Sequence, residues 1–434
     1  IVRDMIFRDT EVTLRNISIK FENVVFLSTY ITDMPSLFTF SWLYVSLVNA
    51  EIRSIATNNS FGNRMNLTNT RALHCSLEKV SMLGTILEFG NHYFSLSFKD
   101  VVYTGIENLG KSVFLVRKIK CWFLVKNSIT ISNMTVKDVR FEIGANKENL
   151  ENEVAFFSFQ TESVKIKLES CQFINTSKAI SIYNPNPQKA LDGVNLIVEI
   201  ISCHFIENGG FQIQNGAGIY IYICKYSSPL IKADIYISKC FFTNNVVESD
   251  GGAIFIASEK HDDHIEGPVS LRLENTEFYD NIASKSGGAL FVSSHVTSTI
   301  TNCEFILAHE KRISNKGDII SSNANIEELN ITLYMKGSFE SSSIIYINKL
   351  TTNFKVKRLF LKQYCPLWHY GGVDFDYNPK NGLNMLKTEC KSCPEGLYSP
   401  YSDVFMIQYE GELGHAPEIK NKITQNSLCT DCPY

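Results

Sequence analysis

The residues best placed to do chemistry sit at the end of the chain. Two Cys-x-x-Cys pairs, Cys390/Cys393 and Cys429/Cys432, follow a lone Cys365. Two thiolate pairs at this spacing can hold a tetrahedral zinc. They can equally close disulfides. Five of the twelve cysteines fall in the last 70 residues, where long apolar runs are few, and a segment short of core is commonly held by covalent bonds in an oxidising compartment. The shortage of core and the extra Cys365 favour disulfides, so no metal ligand and no cofactor is assigned. His261, Asp262, Asp263 and His264 form the other metal-like cluster. Four neighbours on one short stretch cannot all converge on an ion, and the reading is a solvated turn tip.

No serine or cysteine nucleophile motif and no phosphate-binding glycine loop is present, and no catalytic residue is assigned. Sequons for N-glycosylation occur at Asn16, Asn58, Asn66, Asn133, Asn175 and Asn330. This composition yields about that many by chance, but an extracellular chain would carry glycans on several of them.

The elements that position these residues announce themselves as a repeat. Cys-x-Phe followed by Asn recurs through Cys171 and Phe173, Cys203 and Phe205, Cys240 and Phe242, with Phe278 and Phe305 in the same place. Successive Phe residues are 32, 37, 36 and 27 positions apart. A second half-unit, two glycines or Gly-Ala before alternating apolar residues, recurs at Gly216, Gly251 and Gly287. Phe242 to Gly251 and Phe278 to Gly287 are both nine residues apart. A period in this range signals a solenoid or a propeller. The units hold two or three short β-rich runs, too few for a blade, and vary in length. One coil of a right-handed parallel β-helix fits, with coils stacked at about 4.8 Å.

Stacking assigns roles. Phe173, Phe205, Phe242, Phe278 and Phe305 form an inward aromatic ladder. Asn208, Asn245 and Asn281, each three residues after a ladder Phe, hydrogen-bond along the axis. Asn175 comes one residue early and is left out. The glycines stand at crowded corners. Cys171, Cys203 and Cys240, together with Cys303, share a register. Neighbours one coil apart bring Cα atoms within disulfide range, while a stack of buried thiols acting as small hydrophobes is an equal alternative. Cys75, Cys121 and Cys224 are not assigned. The rod is expected over residues 1–360, clearest at 165–310, followed by a small disulfide-rich module at 361–434.

Net charge of −4 on 434 residues, without a block of like charge, argues against nucleic acid. The most apolar run, residues 37–48, is short of the roughly 20 residues needed to span a bilayer. The chain opens in strand-like sequence without Met or a signal peptide, as a processed or partial chain would.

The repeat units resemble those of chlamydial polymorphic outer-membrane proteins, with their Gly-Gly-Ala-Ile-like and Phe-x-x-Asn-like signatures, and the pectin-lyase-type β-helices of large protist surface proteins. The segment Cys390-x-x-Cys393-Pro394-x-Gly396-x-Tyr398, begun again at Cys429, Cys432 and Pro433, is similar to ephrin-receptor-like, growth-factor-receptor-like repeats. These resemblances imply a β-helix at a cell surface or outside the cell, and further cysteine-rich repeats downstream. The function expected is a structural or adhesive rod, not an enzyme, whose partners are its own copies, other surface or matrix proteins and N-linked glycans. The open first coil would be the docking end. A polysaccharide lyase or hydrolase is the alternative, although no Asp-Asp, Gly-His-Gly or Arg-x-Lys constellation recurs at coil spacing. A carbohydrate-binding receptor ectodomain is a third.

Overall fold

A computed structural model describes residues 1–14, 18–33, 42–53, 64–68, 72–89, 93–105, 114–117, 127–140, 155–160, 164–184, 195–210, 213–223, 232–258, 269–307, 319–323, 325–335 and 342–347, and beyond these chiefly the backbone of the strands between 355 and 431. The chain is all β among these residues. A 24-stranded sheet and a 14-stranded sheet carry nearly all the strands. Pairing is parallel from the first strand to Lys355–Leu361, and in register except at two shifts where Val296–Leu307 meets Asn325–Met335. The architecture is a parallel β-helix.

Each coil has the same plan. A long strand such as Lys232–Ser238 is followed by a short one, Phe241–Thr243, and later by a strand of the second sheet, Ile254–Ser258. The long strands alternate burial with a period of two: Val269–Glu274 reads buried at Val269, Leu271 and Leu273 and open at the residues between. Branched apolar residues at the inward positions fill one continuous core, from Leu14 to Ile345, which is the sequence pattern of a half-buried strand.

The bend between long and short strand is made by one residue in the left-handed region. Asp4, Asn23, Asn49, Lys79, Asp100, Asn133, Ser170, Ser202, Lys239, Asn275 and Asn302 occupy it in successive coils, with φ of 48–55°. Asn and Asp dominate because their side chains tolerate this conformation better than other residues with a Cβ. The corner N–H of each coil donates to a carbonyl of the next: Asn133 to Glu169, Ser170 to Ile201, Ser202 to Ser238. A second left-handed corner closes many of the short strands, at Asp138, Asn175, Glu207, Asn244 and Asp280 among others.

The two glycines of Gly251-Gly252 serve different needs. Gly251 has φ of +66°, which a side chain disfavours, whereas a Cβ on Gly252 would run into the carbonyl oxygens of Gly288 and Ile282 in the neighbouring coil.

After the last parallel pairing the pattern changes. Ser342–Ile347 and Lys355–Leu361 take antiparallel partners, Leu383–Ser392 and Ile407–Glu412. His369–Asn378 then pairs antiparallel with Leu383–Ser392. Cys390 therefore lies on a strand joined to the rod's own second sheet.

Candidate interaction surface

The interior columns come first, because they set what reaches the surface. The rings of Phe173, Phe205, Phe242, Phe278 and Phe305 stack at centroid separations of 5.1, 4.6, 5.0 and 4.6 Å, within 10° of parallel. Phe7 and Phe26 stack likewise at the other end, 5.2 Å apart. Between them the same inward column is filled by Ile52, Met82, Tyr103 and Val136.

Asn208, Asn245 and Asn281 are buried and do two jobs each. The Asn245 side-chain oxygen accepts the Asn208 backbone N–H at 3.2 Å, and its amide donates to the Phe205 carbonyl at 3.0 Å. Asn281 repeats both bonds on the preceding coil, at 3.1 and 2.8 Å. The place that Asn175 misses is taken by Thr176, whose hydroxyl and backbone N–H both donate to the Asn208 side chain. Thr29 fills it near the N-terminal end, donating to the Phe7 carbonyl at 3.2 Å.

Of the two readings of the cysteine column, the structure takes the buried thiols and not the disulfides. Cys171, Cys203, Cys240 and Cys303 are free, buried thiols, as is Cys75. Cys75 lies inside the long strand Ala72–Glu78, whereas the other four stand directly after the left-handed corner, where other coils have Val24, Ala50, Val80, Val101, Met134 or Thr276. In-register parallel stacking keeps neighbouring Cβ atoms about as far apart as the strands, roughly 4.8 Å, whereas a disulfide draws them to roughly 3.8 Å. Each of these four thiols instead lies against the carbonyl two residues earlier, at 3.3–3.4 Å. Burial pushes the Cys75 and Cys303 thiols up to about 12.

Three outer faces remain. On the long-strand face, charges and hydroxyls meet one another: Lys165 with Glu199 at 2.9 Å, Lys167 with Glu169 at 2.7 Å, Ser270 with Asp234 at 2.9 Å and Tyr236 with Glu274 at 3.1 Å. The outer face of the second sheet carries a second aromatic column, Tyr220, Phe255 and Phe291, stacked at 5.2 and 5.0 Å. Lys178, buried, places its Nζ 4.5 Å over the Tyr220 ring.

The short-strand face differs. Its outward residues form two columns. One runs Ile6, Val25, Glu51, Ser81, Val102, Thr135, Gln172, His204, Phe241, Glu277 and Glu304, and the other includes Arg8, Leu27, Arg53, Leu83, Lys137, Ile174, Ile206, Tyr279 and Ile306. Ile6, Val102, Phe241 and Tyr279 are among the most exposed large apolar side chains of the described chain. The His204 ring stacks on Phe241 at 4.8 Å. Partial burial, with Glu277 one coil away, raises the Glu304 carboxyl above its usual range.

Of the sequons, Asn133 is exposed at a corner and its amide donates to Asp100 at 3.1 Å. Asn66 lies within the strand Arg64–Leu67, half-buried, accepting from Thr68. Asn175 donates to Asp138 at 2.7 Å and accepts from Arg140, with Thr176 and Ser177 of its sequon buried. Asn16, Asn58 and the side chain of Asn330 lie outside the described residues, as do the 261–264 cluster, Cys121, Cys224 and the side chains of Cys365, Cys390, Cys393, Cys429 and Cys432. Among the described residues no three His, Cys, Asp or Glu groups are placed to hold a metal, and no helix is long and apolar enough to cross a membrane.

The corner-to-glycine unit that recurs through these faces can be compared with known repeats. Residues 239–257 and 275–293 match the Chlamydia polymorphic membrane protein repeat. The two stretches are successive coils in the same register, each running from the left-handed corner, Lys239 or Asn275, past the ladder Phe and Asn to the glycine pair and the strand beyond. No curated protein and no solved structure matches the chain.

Proposed function

We propose that this chain is a rod displayed outside the cell, structural or adhesive in role rather than catalytic. The observation that carries the reading is the parallel stacking that runs from Val2 to Val356, in register except at two shifts between Val296–Leu307 and Asn325–Met335, which makes a rigid object with repeating faces. The match to repeats of a membrane-protein family supports placement at a surface. The C-terminal cysteines fit extracellular disulfides, and the exposed Asn133 fits a glycan acceptor. Cells that make the protein test the placement. An impermeant amine-reactive label should mark it on intact cells, and labelling only after permeabilisation would refute it.

One observation favours a second reading, a polysaccharide-cleaving enzyme. Glu277 and Glu304 stand one coil apart on an open face, and one of the carboxyls is raised, which is the kind of arrangement acid–base chemistry uses. Release of new reducing or unsaturated sugar ends, lost in Glu277→Gln and Glu304→Gln, would support it over the structural role.

A further inference from the structure

The short-strand face is the one described face that combines exposed apolar side chains with a charge gradient along the rod. Its N-terminal coils present Arg8 and Arg53, with Glu51 paired to Arg53, and its middle coil presents Lys137. Its C-terminal coils present Glu277 and Glu304 and no lysine or arginine in either column. Between and around them lie Val102, Ile174, Ile206, Phe241, Tyr279 and Ile306. The short strands pair in register throughout this stretch, so the face is a regular strip.

We propose that two copies of this chain pair side by side through this face, with the rods antiparallel. This builds on reading the chain as an assembling rod and names the surface that does it. Antiparallel pairing sets the basic coils near Arg8 and Arg53 of one copy against the acidic coils of Glu277 and Glu304 of the other. Parallel pairing would set Glu277 and Glu304 against themselves, at a cost from like charges. The size fits as well. A three-residue short strand is about 10 Å long, and with its corner residues the strip is about 15 Å wide; eleven coils at about 4.8 Å then give roughly 800 Å² per partner, the ~800 Å² of a standard interface. Apolar residues run along the strip, and the polar corner residues at its edges would form the rim that such interfaces have. A glycan is a poorer occupant. Phe241 already offers a ring face to His204, so the sugar-stacking surface is partly taken.

Sedimentation equilibrium on the full chain, made in a host that adds no N-glycans, tests the proposal. A dimer is expected at concentrations of about 10 μM. Phe241→Lys combined with Tyr279→Lys should raise its dissociation constant at least about ten-fold, with an unchanged melting temperature, because both rings lie outside the core. Arg8→Glu and Glu304→Arg should each weaken the dimer, and the two together in one chain should restore it, which only the antiparallel arrangement allows. A monomer at about 100 μM would overturn the proposal. So would a dimer indifferent to the lysine pair, or a failure of the charge swap to rescue. None of these results bears on whether the protein is displayed on cells, so the two readings fail separately.

Discussion

At the level of single residues, stability rests on polar groups that the stacking leaves no alternative partner. Asn245 holds a backbone N–H and a backbone carbonyl of the preceding coil. Asn245→Ala should cost roughly 2–4 kcal/mol in chemical denaturation, since both groups stay buried and unpaired. Gly252→Ala should cost at least as much, because two carbonyl oxygens of the next coil occupy the space its Cβ needs. The thiols behave in the opposite way. Because burial raises Cys75 and Cys303 to about 12, the folded state favours the neutral form. Their contribution is fully present below the unfolded thiol value near 8.5 and is lost as pH rises from there through about 12. Stability should therefore fall by about 1.4 kcal/mol per pH unit for each such thiol above about pH 9. In native protein at neutral pH, thiol reagents should leave Cys171, Cys203, Cys240 and Cys303 unmodified. The ladder Phe and Asn residues were legible in the sequence because they recur at a fixed offset. The left-handed corners were not, since Asp, Asn, Ser and Lys alternate there and only the backbone angle unites them. Nor was Thr176, which does the ladder's work with a different side chain and a shorter reach.

At the level of the coil, one place admits several residue types when the demand is for size and a hydrogen bond. Thr276 stands among the cysteines, accepting the Cys240 N–H and donating to the Glu274 carbonyl at 2.8 Å. Thr276→Cys should cost less than about 1.5 kcal/mol, whereas Phe242→Ala, which opens the centre of the aromatic stack, should cost about 3–5 kcal/mol. Thermal or urea unfolding of the pair measures both. Sequence showed the repeat in residues 165–310 because aromatic and glycine positions coincide there. It faded toward the N-terminus because Ile52, Met82, Tyr103 and Val136 fill the same inward column. Aliphatic and aromatic residues serve packing equally well, so the register survives where the motif does not. The choice between thiols and disulfides in the cysteine column was beyond sequence, because it depends on the Cβ separation that parallel stacking enforces.

At the level of the whole molecule, the rod offers three unlike sides: one of paired charges, one of stacked aromatics and one of exposed apolar residues between oppositely charged ends. That difference appears only once coils are stacked, since residues such as Arg8 and Glu304 are joined by nothing in the linear sequence. The account depends above all on the in-register stack. Spin labels on the outward column of the short-strand face test it most directly. With one label at Val102 and the other at Phe241, Glu277 or Glu304, the sites lie four, five and six coils away in the pairing register. Double electron–electron resonance should return three mean distances that rise in equal steps of about 4.8 Å. Steps that are unequal, or a distance that falls as coils are added, would contradict the parallel rod and everything built on its faces.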